Sequence, residues 1–118
     1  MSCTCKHNGT VKLGDLVTLN NITNEVEIAT LNDKKRIYGV CVDVFADNEI
    51  IVATDGIVDV NVTGIICLGD HLTISSIDGK AEAIKVLQEE ELYDTRSIGK
   101  VIGLYDIYSK AKVLLNIK

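Results

Sequence analysis

The sequence has no proline, no tryptophan and a single phenylalanine, Phe45. Without large aromatic rings, the core has to be built from aliphatic side chains, and hydrophobic residues make up 47% of the 118 residues. Valine and isoleucine are β-branched and favour strands over helices. The length suits one domain with a core of its own. The composition therefore predicts a single, mostly β domain.

The chain also lacks a basic surface and a long apolar run. Its formal net charge is −5, and the only basic cluster, KKR at 34–36, follows Asn-Asp and is typical of a solvated turn. Nucleic-acid binders usually present a basic face, so we expect no nucleic-acid partner. No run reaches the 18 apolar residues of a membrane span, and the first nine residues do not look like a signal peptide. We expect a cytoplasmic protein with free thiols and no membrane partner.

Alternating apolar and polar residues recur along the chain in short runs. Predicted strands lie at 10–13, 16–19, 25–30, 36–45, 48–54, 56–64, 71–75, 80–84, 97–106 and 109–118. In 36–45 the alternation predicts Val40, Val42 and Val44 on one face. Ala46-Asp47, Asp55-Gly56 and Asp78-Gly79 are typical of the hairpin turns between such runs. Residues 85–95 are the exception and predict a short helix or a charged loop. The pattern predicts an all-β fold, a small barrel or sandwich of about ten short strands.

One short sequence motif, called the Gly-Asp phrase below, occurs twice. Gly14-Asp15 and Gly69-Asp70 each precede an aliphatic strand with threonine at the same place, and similar strands follow both in the same order. Glycine permits a positive φ, and the aspartate can accept a backbone N–H, so the phrase predicts a turn that starts a strand. We therefore expect an arm at 1–9 and one β domain at 10–118, with a pseudo-repeat of 10–64 and 65–118 as two related halves.

Cysteine, histidine and paired aspartates are the candidates for chemistry. Cys3, Cys5 and His7 alternate, so an extended chain places them on one face as part of a metal site, but zinc sites usually use C-x-x-C spacing and four ligands. We expect Cys41 and Cys67 to act as small hydrophobic residues. Asp15 with Asp70, or Asp55 with Asp78, would be carboxylate pairs, yet each stands in a turn signature. We predict no catalytic residue, metal or cofactor.

Residues 53–84 and 97–106 resemble a segment of tailed-bacteriophage virion proteins. In that segment a V-x-V-x-G strand leads into G-D-x-L-x-x-S, then a Gly-Lys-Ala turn and an I-G-x-V strand. The matching residues are Val60, Val62, Gly64, Gly69, Asp70, Leu72, Ser75, Gly79, Lys80, Ala81, Ile98, Gly99 and Val101. Residues 1–10 have no counterpart in those proteins. The resemblance implies a small β module of a capsid decoration (cement) protein, or of a fibre or spike.

We therefore expect a non-enzymatic virion protein, assembled in the bacterial cytoplasm. It would bind the outside of the capsid lattice, through the major capsid protein or neighbouring virion subunits, as a homo-oligomer with a trimer favoured. The candidate partner contacts are Cys3, Cys5, His7, Asp55 and Asp78, and the structural turns are Gly14, Asp15, Gly56, Gly69, Asp70 and Gly79. The arm would add a strand to a partner, or alternatively to its own sheet. The other readings are a receptor-binding tail or fibre-tip module, and a small β-barrel enzyme or carbohydrate-binding module.

Overall fold

A computed structural model describes residues 2–7, 9, 11–33, 36–46, 48–84, 97–105 and 109–117. These residues form ten strands in two antiparallel five-stranded sheets that pack together. The predicted all-β fold is thus confirmed. The segment 85–95, with its predicted helix or loop, lies outside the described residues. No helix in the described part of the chain is long and apolar enough to cross a membrane.

The strands are short, as the alternating runs predict. Their bounds are β1 Ser2–Lys6, β2 Leu16–Leu19, β3 Val26–Ile28, β4 Ile37–Val44, β5 Glu49–Ala53, β6 Asp55–Asn61, β7 His71–Ile74, β8 Ala81–Ala83, β9 Gly99–Leu104 and β10 Lys110–Asn116. A single 3-10 turn, Leu31–Asp33, precedes β4 among the residues described. The first residues of the chain form β1, which pairs with β5. Of the two alternatives for the arm, the structure has the intramolecular strand.

The two sheets have the same strand order. The first is β1-β5-β4-β2-β3 and the second is β6-β10-β9-β7-β8, so each strand of the first half has an equivalent five strands later. In each sheet a parallel bridge joins the two outermost strands: His7 pairs with Val26, and Val62 pairs with Ala81. Each sheet therefore curls until its edges meet. The chain passes from the first sheet to the second at Thr54.

The hydrogen-bond registers align the halves residue by residue. His7 corresponds to Val62, 55 positions later, and the same offset holds across 2–29. Further along, Cys41 corresponds to Val101, because each pairs with a core valine of the next strand. Residues related in this way are termed counterparts below.

The halves contact each other through different surfaces. The front face of the first half consists of Leu16, Val40 and Ala53, and these side chains join one apolar cluster with the core of the second half. The first half covers the hairpin end of the second half, which we define as Asn61, Ile74 and Gly79. The first half also has its own smaller core around Val17, Val26, Cys41, Ile50 and Val52.

Hydrogen bonds hold the front face on the hairpin end. The Leu16 N–H donates to the Gly79 carbonyl (2.9 Å), and the Gly79 N–H donates to the Ala29 carbonyl (2.8 Å). The Asn61 side-chain amide donates to the Leu13 carbonyl and to Asp15 Oδ1, both at 2.8 Å. The β7–β8 turn is thus bonded to strands of the other half.

Three local predictions are wrong. Val11–Leu13 lie in no strand, because Leu13 already belongs to the turn that ends at Asp15. Asp55-Gly56 is not a hairpin turn, because β5 and β6 belong to different sheets and both residues lie within β6. Val40, Val42 and Val44 do not share a buried face.

A bulge explains the last of these errors. The β4–β5 register shifts between Cys41 and Asp43, so Val42 is an extra residue opposite no partner. Beyond it the alternation no longer holds: Val40 is buried, whereas Val42 and Val44 are exposed. A bulge of this kind locally bends the strand and redirects its side chains.

Candidate binding surface

The alternating Cys3, Cys5 and His7 lie along β1 and its extension. Their counterparts are Val58, Val60 and Val62. Cys5 packs against the smaller core and His7 is buried. The spacing of Cys5 and His7 by two is therefore the inward-facing period of a strand.

His7 uses its ring to hold the local turn. Its Nδ1 accepts a hydrogen bond from the Gly9 N–H at 3.1 Å. Within the described ranges, no three His, Cys, Asp or Glu side chains come together as a metal-binding group. Cys5 and His7 thus belong to the inside of the first sheet.

The two aspartates predicted as partner contacts are exposed but far apart in the topology. Asp55 begins β6 opposite Asn116. Asp78 lies in the β7–β8 turn, next to Gly79. Because the other end of β6 is the end that bridges β8, these carboxylates do not converge on one site.

The two Gly-Asp phrases form the same turn. Gly14 and Gly69 have φ values of +85° and +87°. Asp15 Oδ2 accepts the Lys12 N–H at 3.0 Å, and Asp70 Oδ2 accepts the Cys67 N–H at 2.8 Å. The phrase therefore builds a strand-leading turn in both halves.

The two cysteines predicted to be small hydrophobic residues differ in exposure to solvent. Cys41 is buried in the smaller core, and burial raises the pKa of its thiol from 9.0 to about 11. Cys67 is exposed beside the second Gly-Asp turn, so it does not fill a core as Cys41 does. The turn requires the backbone of Cys67 and leaves its side chain in solvent.

A repeated apolar surface emerges where β4 and β9 end. The second half has the same bulge as the first: the β9–β10 register shifts so that Ile102, like its counterpart Val42, stands opposite no partner. After each bulge the chain presents two more apolar side chains. The first apolar strip is Val42, Val44 and Phe45, and the second apolar strip is Ile102, Leu104 and Tyr105. All six side chains are between 37% and 51% exposed.

The second strip has one polar anchor. The Tyr105 hydroxyl donates a short hydrogen bond to Asp59 on β6. That bond to a carboxylate stabilises the protonated phenol and raises the Tyr105 pKa. The ring is therefore held against the sheet while one side remains open to solvent.

Exposed apolar side chains are common singly, but contiguous ones mark interaction sites. The two strips occur at counterpart positions, so the same surface is presented twice. Sequence reasoning missed both strips, because the alternating valines of 36–45 suggested one buried face. A comparison of 42–45 with 102–105 in the aligned halves would have shown the shared apolar and aromatic pattern.

The chain matches no protein-family model, and a search of curated proteins finds none with a matching sequence.

Proposed function

We propose that the chain is a structural protein of a phage particle, a decoration protein that binds the outside of the capsid lattice through its two apolar strips. The observation that carries the proposal is the duplicated strip after each bulge. A single exposed apolar group needs no explanation, whereas a triplet presented twice at counterpart positions is a built surface.

Two equivalent strips suit a repetitive partner. If each strip contacts one capsid subunit, binding of the first strip raises the effective concentration of the second. Modest affinity per strip is then sufficient for stable attachment. The second strip also lies in the part of the chain that resembles virion proteins, since it overlaps residues 97–106.

The test is co-sedimentation with capsids assembled from the major capsid protein of the same phage without this chain. The wild-type chain should pellet with the particles at a fixed number of copies per particle. Val44→Lys and Leu104→Lys should each weaken binding about tenfold or more, because each puts a charge into a buried apolar contact. The double variant should remain in the supernatant.

Leu31→Lys is the matched control. Leu31 is an equally exposed leucine (48%), but it lies in the 3-10 turn and outside both strips. It should pellet like the wild type. If the wild-type chain fails to pellet at saturating concentration, or if the double variant pellets like the wild type, the proposal is wrong.

A further inference from the structure

Counterpart residues on the front faces of the two halves have different environments. In the first half, Leu16, Val40 and Ala53 are buried against the second half. Their counterparts in the second half are His71, Lys100 and Leu114, and all three are exposed. Leu114 is 49% exposed, whereas Ala53 is 6% exposed.

The hairpin ends also differ in burial, but here the buried one belongs to the second half. In the second half, Ile74 and Gly79 are buried against the first half, Ile74 in the shared apolar cluster and Gly79 against Ile28. Their counterparts Leu19 and Asn24 are exposed, with Leu19 at 37%. The contact between the halves therefore buries the front face of the first half and the hairpin end of the second half. The front face of the second half and the hairpin end of the first half remain exposed.

The side chains on the two open surfaces differ in size from those in the internal contact, and the two differences offset each other. In the internal contact, a Cβ at Gly79 would lie 2.8 Å from Ile28 Cδ1, so the large isoleucine requires the glycine. The counterpart of Ile28 is Ala83, and the counterpart of Gly79 is Asn24. In the open pair the larger residue, Asn24, thus lies in the hairpin turn and the smaller one, Ala83, on β8, which keeps their combined bulk similar to that of Gly79 and Ile28.

The open surfaces also differ in charge. The second-half front face carries Lys100 and the imidazole of His71. The first-half hairpin carries Glu25, where its counterpart in the second half is Lys80. The open hairpin end also carries the basic Lys6, the counterpart of Asn61, so it is not acidic as a whole. In the internal contact Asn61 donates to Asp15, so in a contact of the same geometry between the open surfaces Lys6 would face Asp70, the counterpart of Asp15, and these opposite charges favour association.

We propose that the second-half front face of one copy packs on the first-half hairpin end of another copy, in the geometry of the contact between the two halves. Such a contact joins unlike surfaces, so it closes into a ring when the rotation permits and otherwise continues as a filament. This self-association does not require that the protein bind a capsid.

The first test disrupts each of the two contact surfaces with its own substitution. Leu114→Lys places a charge on the open front face, and Leu19→Lys places one on the open hairpin end. Sedimentation velocity should show the wild-type chain as an oligomer and each variant as a monomer. A mixture of the two variants should form a 1:1 heterodimer, because each retains the surface that the other has lost. A contact between like surfaces would not be restored by mixing.

Ile102→Lys is the matched control for Leu114→Lys. Both residues are exposed on the second sheet, Ile102 at 41%, but the counterpart of Ile102 is Val42, which stays 37% exposed in the internal contact. Ile102→Lys should therefore assemble like the wild type. Because Ile102 belongs to an apolar strip, the same variant should weaken capsid binding, so the self-association and the capsid-binding proposals fail separately.

The second test changes the side-chain sizes on the two sides of the proposed contact. Ala83 lines an open depression with Thr63 and Ile77, so the fold has room for a larger side chain there. Ala83→Ile should weaken self-association at least about tenfold by collision with Asn24. Adding Asn24→Gly should restore it, because the pair then matches Ile28 and Gly79. A monomeric wild type at every concentration, a mixture that stays monomeric, or a double variant as weak as Ala83→Ile overturns the proposal.

Discussion

Gly79 packs directly against Ile28, and this contact joins the two halves of the molecule. A Cβ at position 79 would lie 2.8 Å from Ile28 Cδ1 and 3.0 Å from Asp15 Cγ. The backbone of Gly79 also has a φ of +76°. Glycine is therefore required twice over, once by the conformation of the turn and once by the approach of the other half.

Gly79→Ala should be one of the most destabilising single changes in the chain. We expect a loss of about 1–2 kcal/mol from the left-handed backbone and about 1–3 kcal/mol more from the collision. Urea denaturation measures the sum. Gly56→Ala separates the two causes, because Gly56 has a φ of +93° but a Cβ there would meet no atom within 4 Å. Equal losses for the two variants would show that the contact with Ile28 contributes nothing.

Gly39 and Gly99 are required for a different reason. They are counterparts on β4 and β9, and a Cβ on either would lie within 2.5 Å of a carbonyl oxygen on the neighbouring strand, that of Ala53 or Leu114. Gly39→Ala and Gly99→Ala should each cost about 1–3 kcal/mol or more, since the backbone cannot yield as a side chain can.

Gly103→Ala is the control for this pair. Position 103 also lies on β9, but there the nearest atom is Lys112 Cβ at 3.2 Å, so a shift of a few tenths of an ångström is enough to fit a methyl group. The free energy of unfolding, from urea titration, should fall much less for Gly103→Ala than for Gly99→Ala. Similar values for both would contradict the close backbone approach.

Asn61 ties the Gly-Asp turn of the first half to β6. Its side-chain amide donates to the Leu13 carbonyl and to Asp15 Oδ1. Asn61→Ala leaves the buried Asp15 without this donor and should cost about 1–3 kcal/mol. Asn61→Asp should cost more at neutral pH, because two carboxylates then face each other. Asn116→Ala, at an exposed position on β10, should change the unfolding midpoint little; if Asn61→Asp were as stable as Asn61→Ala, the geometry at Asp15 would be wrong.

The sequence predicted the fold class because the signal for it is local. Alternation and turn residues depend only on neighbours along the chain, and Val60 and Val62 are buried as that alternation predicts. The strand β1 was predicted only as one of two alternatives for the arm, because Ser2–Lys6 contains none of the aliphatic residues that mark the other strands. Alignment with Val60 would have shown that Cys5 occupies an inward strand position.

The candidate surface could not be predicted in the same way. The bulge at Val42 exists only in relation to the register of β5, and no local pattern distinguishes Val42 from the buried Val40. The difference between Leu16 and His71 is a property of packing between halves, which no single half contains. Surfaces formed by register and by packing therefore require the structure.

The thiol of Cys41 predicts a pH dependence that can be isolated. Because burial raises its pKa from 9.0 to about 11, the folded chain keeps this proton where the unfolded chain loses it. The unfolded state then binds fewer protons, so the free energy of unfolding should decrease as the pH rises from about 9 to about 11.

Cys41→Val should remove that part of the decrease. Its counterpart is Val101, so the substitution should be accommodated below pH 9 at a cost under about 1.5 kcal/mol. Cys67→Ser, which removes an exposed thiol, is the control. Unfolding curves from pH 7 to 11 that decline equally for Cys41→Val and the wild type would show that the Cys41 thiol is not desolvated in the folded protein.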